Sequence, residues 1–158
     1  IIGRVVEAMK QAHPYEEPAY DIVPVQNDAG IGLGVRGTLE HPMTLGTFAQ
    51  YVRDRLDLSH VRVVGAPDRP VSRVAVMGGL RGGKVAEVPS DVDVYVTGDV
   101  GYHDALTALQ NGLGVVDAGH AGTEKWVIPV MVEFLKKRLP SLPVSSCGEP
   151  EVFRIVSD

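Results

Sequence analysis

The sequence is poor in cysteine: Cys147 is the only one among 158 residues. A single cysteine excludes a disulfide or a thiolate metal cluster within one chain, and a reduced, cytoplasmic location is the default for such a composition. Basic residues form no stripe, and the formal net charge of −5 argues against a nucleic-acid-binding surface. No apolar run approaches the roughly 20 residues that a bilayer requires, and no signal peptide is evident, so no membrane partner is expected.

The hydrophobic residues, 44% of the chain, are enough for a buried core, and the length fits one domain with a small appendage. The appendage is predicted to be a helix followed by a strand at residues 19–25. His13-Pro14 ends the helix, because proline pushes the residue before it out of the helical region. His13, Glu16 and Glu17 could form a metal or acid–base cluster. Turn chemistry favours the alternative, in which Pro14 and Pro18 simply fix the path of the chain.

Two glycine-rich segments resemble nucleotide-binding motifs. Gly32, Gly34 and Gly37 have the GxGxxG spacing, but the dinucleotide motif needs a strand before it and a helix after it. Residues 33–39 read instead as a strand that follows a linker, and His41-Pro42 interrupts what comes next.

The second segment, Gly78 to Lys84, follows a strand and fits GxxxxGK. Val85 stands where a hydroxyl would hold magnesium, and Pro89 leaves no room for a long helix. A nucleotide triphosphatase is therefore disfavoured, although the backbone amides of this loop could hold a substrate phosphate.

Several elements follow from apolar spacing and capping residues. Thr44 is predicted to cap an amphipathic helix with one apolar face, formed by Leu45, Phe48, Ala49, Val52 and Leu56. Strands at residues 61–64 and 72–77, joined by a turn at 67–70, suggest a neighbouring, hairpin-like pair. A last long helix should begin at Thr123, with Pro129 implying a kink or a later start. Its apolar face would comprise Val127, Val130, Phe134 and Leu135. A final strand is predicted at residues 152–156.

The central stretch runs from Asp93 to Glu124. Two short apolar runs, 94–96 and 113–116, flank a helical segment, and each run stops at an acidic residue and a glycine. Parallel strands in open α/β sheets place ligands outside their carboxyl ends. We therefore expect five metal-capable side chains to converge at one edge of a sheet: Asp99, His103, Asp117, His120 and Glu124.

The chemistry of this cluster suits a metal. Imidazole and carboxylate groups bind zinc, manganese and iron, and a pair of cations activates a bridging water. Asp99 or His103 could add a ligand, orient one, or move protons. The alternative is structural: acids after strands are often helix caps, and single histidines are often only hydrogen-bonded.

Two motifs carry a family resemblance. TGDVGYHDA, followed by GLGVVDAGHAGTE, resembles the carboxyl-terminal signature of the NIF-three-like dinuclear metal-centre family, whose members often bear the name GTP cyclohydrolase I type 2. The opening AMKQAHPYEEPAYDIVPV resembles the last helix and strand of the PII-like (ferredoxin-like) domain inserted in many bacterial members. GLGVRGTL and SRVAVMGG match the family's order of elements.

The resemblance implies a three-layer α/β fold, with a mixed sheet flanked by helices. Residues 1–26 would be the remnant of the PII-like insert, and residues 27–158 the carboxyl-terminal domain. His120 and Glu124 would be metal ligands, and Asp99 and His103 catalytic residues near the metals. The cofactor would be two divalent ions (zinc, iron or manganese). The remaining ligands, a histidine pair and an aspartate, would come from a first half that precedes Ile1.

Two functional hypotheses follow from the resemblance. The first is a metal-dependent hydrolase that acts on a nucleotide or another small phosphate-bearing molecule and assembles as a homo-oligomer, a hexamer by resemblance. The second is a non-enzymatic oligomeric binding or regulatory module with a structural or vestigial metal site. A third, weaker hypothesis is a nucleotide-binding protein that uses the Gly78 to Lys84 loop.

Overall fold

The computed structural model describes residues 2–24, 32–79, 82–148, 152–153 and 155–156. The chain divides into two compact units, Ile1–Ile31 and Gly32–Asp158. Within the described residues, no helix combines the length and the apolar character that crossing a membrane requires.

The first unit contains helix α1 (Ile2–Ala12). The helix ends before Pro14, as predicted, and the Tyr15 amide donates to Nδ1 of His13 at 3.1 Å. This side-chain hydrogen bond stabilises the turn that Pro14 and Pro18 indicated. Glu16 and Glu17 are exposed. The strand predicted at 19–25 is wrong for its described residues, 19–24, which are not in a strand. A strand needs a hydrogen-bonded partner, and the described part of this unit has none to offer; Val25 lies outside that part.

The second unit is built on a five-stranded mixed sheet. Its strands are β1 (Val35–Thr44), β2 (Arg62–Val64), β3 (Pro70–Val76), β4 (Val94–Thr97) and β5 (Gly114–Asp117), in the spatial order β1-β3-β4-β5-β2. The three central strands are parallel, and β1 and β2 pair antiparallel at the two edges. The mixed α/β sheet that the resemblance implied is confirmed.

Helices cover both faces of the central strands. Val94 and Val96 pack with helix α2 (Leu45–Arg55) in one core. Tyr95, between them, points to the opposite face, where it packs with a 3-10 helix (Gly82–Glu87) and helix α3 (Tyr102–Gln110). Because β4 and β5 are buried on both sides, their sequences are continuous apolar runs.

Helix α2 forms as its sequence predicts. The Thr47 amide donates to Thr44 Oγ1 at 3.2 Å, which is the expected N-cap hydrogen bond. Four apolar residues of this helix are buried, namely Leu45, Phe48, Ala49 and Val52, and Leu56 packs beside them.

The hairpin-like pairing of the second and third strands is wrong. β2 pairs with β5, while β3 lies between β1 and β4. The turn at 67–70 instead accepts hydrogen bonds from the start of α2. The amides of Leu45 and Gly46 donate to the carbonyls of Arg69 and Pro67, both at 2.8 Å. The unpaired amides at the start of α2 thus use this turn as their acceptor.

Strand β1 is longer than predicted, because it continues through His41-Pro42 to Thr44. Its register shifts between Thr38 and Met43. Proline is tolerated on an edge strand or at a bulge, and β1 is an edge strand. Gly37 lies inside β1 and no helix begins there, so the GxGxxG spacing does not form a dinucleotide motif.

The last helical region is divided. Helix α4 (His120–Glu124) is followed, after a turn at 125–126, by helix α5 (Val127–Arg138). Pro129 lies in the first turn of α5, where its missing N–H costs no hydrogen bond. The predicted start at Thr123 is therefore wrong, and the later start that Pro129 implied is confirmed. The predicted strand at 152–156 is wrong for its four described residues, which lie outside any strand and are exposed.

Candidate functional site

The candidate site lies at the carboxyl ends of two parallel strands. Thr97 of β4 is in register with Asp117 of β5, and the Ala118 amide continues the pairing by donating to the Thr97 carbonyl at 2.8 Å. The loops that leave these strands therefore start side by side. One carries Asp99, and the other leads into α4.

His120 is the centre of the site. Its Nδ1 lies 2.8 Å from Asp99 Oδ2, and its Nε2 lies 3.1 Å from Glu124 Oε2. Glu124 reaches the ring because residues four apart share one face of a helix. The three side chains are about half exposed (51–53%). Three of the five residues that the sequence grouped are thus brought together.

Close packing of the backbone brings the two loops near enough for the contact between Asp99 and His120. Gly98 is buried, and a Cβ built on it would lie 2.6 Å from the Gly119 oxygen and 2.9 Å from the His120 nitrogen. Asp99 has a left-handed backbone, with φ of +57°. Aspartate tolerates that conformation better than most residues, and such backbone is concentrated at functional sites.

Asp117 does not join the other acids. Its carboxylate is buried and accepts hydrogen bonds from the side chain of Arg62 and from the amides of Val100 and Gly119. The expectation that it faces the same point as His120 is wrong, because these three donors hold its side chain among the strands and loops.

His103 lies on a different element from His120 and Glu124. It is exposed in the first turn of α3, and its ring contacts Tyr102 edge-on, with 5.7 Å between ring centroids. Its described contacts include none of the three clustered side chains.

The sequence missed the role of the Gly78-Gly79 pair. The Gly79 amide donates to Thr123 Oγ1 at 2.9 Å, and Gly79 has a φ of +63°. A Cβ at Gly79 would overlap the Glu124 carboxylate. This loop therefore packs against α4 and leaves room for Glu124. Leu80 and Arg81 lie outside the described residues.

Lys84 gives no support to a phosphate loop. Its ammonium group forms an ion pair with Glu87 in the same 3-10 helix. The element that follows the loop is this short 3-10 helix, which does not match the long helix of the nucleotide-binding motif.

The charges around His120 favour its protonated form. The hydrogen bond to Asp99 and the negative charge of Glu124 raise the pKa of His120 above its usual value. The same two carboxylates would attract a cation.

The donor set fits part of a metal site. Two ligands bonded to one ion at about 2.1 Å lie roughly 3.0–3.4 Å apart, depending on the angle between them. The 3.1 Å between His120 Nε2 and Glu124 Oε2 falls in that range. Across the described part of the chain, no three His, Cys, Asp or Glu side chains are arranged to hold an ion together. A complete shell would need donors from elsewhere.

Comparison with known proteins identifies relatives. The family profile of Duf34/NIF3 (NGG1p interacting factor 3) matches residues 5–148. The GTP cyclohydrolase 1 type 2 homolog of Bacillus subtilis is 46% identical over 140 residues, which are 87% of this chain and 36% of that protein. The homolog of Halalkalibacterium halodurans is 43% identical over 89% of this chain and 37% of its own length. The chain thus spans about a third of the length of these curated relatives.

Solved structures agree. A Bacillus cereus protein related to NIF3 is 39% identical, with a TM-score of 0.68 over 98% of this chain and 44% of that one. A Staphylococcus aureus protein is 29% identical, with a TM-score of 0.72 over 98% of this chain and 52% of that one. With a profile match over most of its length and relatives this similar, the chain belongs to the Duf34/NIF3 family.

Proposed function

We propose that this chain supplies His120 and Glu124 to a two-metal centre, and that the protein is a metal-dependent hydrolase. One observation carries the proposal: His120 Nε2 and Glu124 Oε2 lie at a separation that suits a shared ion, while Asp99 holds the opposite nitrogen of the same ring. A carboxylate behind a ligating histidine is the usual arrangement in metalloproteins.

Each of the three residues has a distinct part. Asp99 accepts a hydrogen bond from the Nδ1–H group of His120, which leaves the lone pair of Nε2 free for a metal. Glu124 adds a negatively charged oxygen donor. When bound, the metal pair would lower the pKa of a water molecule and polarise the substrate. The half-exposure of the three side chains leaves the site open to solvent and to a small-molecule substrate.

The rest of the shell would come from outside the chain described here. This chain is about a third of the length of its curated relatives, so a segment of a longer protein or a second copy can provide further ligands. Zinc, iron and manganese all accept this imidazole and carboxylate set. His103 stays a candidate for proton transfer only if the substrate reaches the first turn of α3.

The substrate class is supported by the relatives. Their name, GTP cyclohydrolase 1 type 2 homolog, points to a nucleotide or a similar phosphate-bearing molecule. The cluster itself is anionic, so a phosphate would need the metal ions as its counter-charge.

A homo-oligomer is part of the same proposal. Helix α5 exposes more than half of Val127, Val130 and Phe134, and burying such a face against another subunit is favourable. Light scattering after size-exclusion chromatography measures the assembly directly: a hexamer supports the proposal, and a monomer at all concentrations contradicts it.

Metal content tests the central claim. We expect elemental mass spectrometry to find bound divalent metal in the wild-type protein that includes the remaining ligands, and none in its His120→Ala/Glu124→Ala variant. Glu40→Ala/His41→Ala is a matched control, since it removes the same two side-chain types from exposed positions of β1. Metal that is absent from the wild type, or retained in the site variant, would contradict the claim.

The incomplete shell favours a second candidate, a non-enzymatic binding or regulatory module. The described residues offer only two donors at the site, fewer than the three or four protein ligands that are usual for zinc. Turnover of a nucleotide substrate that His120→Ala abolishes, with folding intact, would support the hydrolase. Turnover that is unchanged in that variant would contradict the hydrolase built on His120, and the absence of turnover from the metal-loaded wild type would support the module.

A further inference from the structure

Asp117 joins the two loops that carry the candidate site. Its side chain is only 3% exposed, although it is a carboxylate. Oδ2 accepts from Arg62 Nη2 and from the Val100 amide, the latter at 3.1 Å, and Oδ1 accepts from the Gly119 amide at 3.0 Å. Each carboxylate oxygen is therefore tied to a different loop.

The two backbone amides are adjacent to the site residues. Val100 follows Asp99, and Gly119 precedes His120, so one buried carboxylate fixes the backbone beside both partners of the 2.8 Å contact. We propose that Asp117 is the positioning residue of the Asp99–His120 pair, and through it of the metal centre. The part that concerns metal rests on the proposed function above.

Arg62 completes the arrangement. From the edge strand β2, its Nη2 donates both to Asp117 and to the Val100 carbonyl, at 2.9 Å for the latter. The guanidinium supplies the positive charge that a buried carboxylate needs. It also binds the Val100 carbonyl, so the loop that carries Asp99 is fixed through both the amide and the carbonyl of Val100.

The carboxylate is needed because all three partners are donors. An asparagine at position 117 has nearly the same shape, but one of its two terminal groups is an N–H donor. In either orientation of this amide, its NH₂ group points at a backbone N–H of one of the two loops, and two donors cannot bond to each other. Asp117→Asn therefore releases one loop while the volume of the core is kept.

Asp93→Asn is the matched control. Asp93 Oδ2 also accepts two backbone amides, those of Ser72 at 2.9 Å and Arg73 at 2.7 Å. It precedes β4, however, whereas the site lies beyond the other end of that strand. Both variants remove the charge of a carboxylate that accepts backbone amides. At Asp93 one oxygen accepts both amides and the oxygen of the substituted asparagine can keep them, so only Asp117→Asn turns an N–H toward a backbone donor, and it does so beside Asp99 and His120.

The experiment compares zinc affinity in the two full-length variants by competition with a chromophoric chelator. We expect Asp117→Asn to lower zinc affinity about 10- to 100-fold, as changes behind a metal ligand do, and to alter the absorption spectrum of bound cobalt(II). Asp93→Asn should leave both unchanged, even where its urea midpoint falls equally. Equal zinc affinity and cobalt spectra in the two variants would overturn the proposal.

A measurement without metal separates this proposal from the metal proposal. If the wild type binds no metal, the proposed function fails, and the ¹⁵N shifts of the His120 ring still report on its contact with Asp99. We expect the Nδ1 shift to change in Asp117→Asn and to stay constant in Asp93→Asn; an unchanged shift in both would refute the positioning role. Should Asp117→Asn not fold, Arg62→Lys keeps the charge but not the paired contacts, and the same shift change is expected, smaller in size.

Discussion

The replacement of Gly98 by alanine tests how the site is held together. A Cβ at this position would lie 2.6 Å and 2.7 Å from the carbonyl oxygen and carbon of Gly119, and 2.9 Å from the His120 nitrogen. All three atoms belong to backbone, so no side chain can rotate to make room. The loop that carries His120 must move away from β4.

The change in the free energy of unfolding follows from two opposing effects. Overpacking a well-packed position costs about 1–3 kcal/mol, and the upper end applies here because backbone must shift. Alanine also reduces the entropy of the unfolded chain, which returns about 0.4–1 kcal/mol. We expect Gly98→Ala to lower the free energy of unfolding by about 2 kcal/mol. Because the shift separates His120 from Asp99, zinc affinity should fall as well.

Gly37→Ala is the control for this measurement. Gly37 has open space around its Cβ position and no left-handed φ, so only the entropy effect remains, and stability should hold or rise. Urea unfolding with a constant m-value compares the two variants. If Gly98→Ala is as stable as Gly37→Ala and binds zinc like the wild type, the close packing of the two loops is refuted.

Three further predictions concern single side chains. The hydrogen bond to Asp99 and the charge of Glu124 raise the pKa of His120. Protonation of His120 therefore stabilises the metal-free fold below pH 6.5, and this stabilisation is lost as the pH rises through the folded-state pKa. An NMR titration midpoint of His120 at or below 6.5 would contradict this prediction. Asp57 has a left-handed φ of +50° just after α2, so Asp57→Gly should stabilise the protein by about 1 kcal/mol in urea unfolding, and a loss would show that the side chain has another role. The Tyr95 hydroxyl is buried without a hydrogen-bond partner among the described residues, so Tyr95→Phe should keep or raise the urea midpoint, whereas a clear fall would reveal a partner.

Local patterns in the sequence predicted helices α1, α2 and α3 and the central strands. Thr44 capped α2 as expected, and the apolar runs that end in acidic residues became the parallel strands β4 and β5. Capping depends on residues a few positions apart, and burial on both faces requires a continuous apolar run, so both signals are readable without a fold. The spacing of His120 and Glu124 suggested a shared metal, but the helix was predicted to begin only at Thr123, whereas α4 already begins at His120 and places both residues on one face.

Strand pairing could not be predicted in the same way. The turn at 67–70 suggested a hairpin, yet β2 pairs with β5, and the turn accepts hydrogen bonds from the first amides of α2. The predicted strand at 19–25 lacks a partner in the described residues. A strand's sequence indicates that it will pair but does not identify its neighbour.

The candidate site was likewise predictable only in part. Residue type and spacing placed Asp99, His120 and Glu124, together with His103 and Asp117, at one edge of the sheet. The resemblance of the motifs TGDVGYHDA and GLGVVDAGHAGTE pointed to the NIF-three-like family, and the profile match confirms the membership. Only the tertiary structure separated Asp117 from the other acids and placed Gly79 against Glu124. The physical reason is that the direction of a carboxylate depends on which donors surround it, and Arg62, Val100 and Gly119 come from three different parts of the chain.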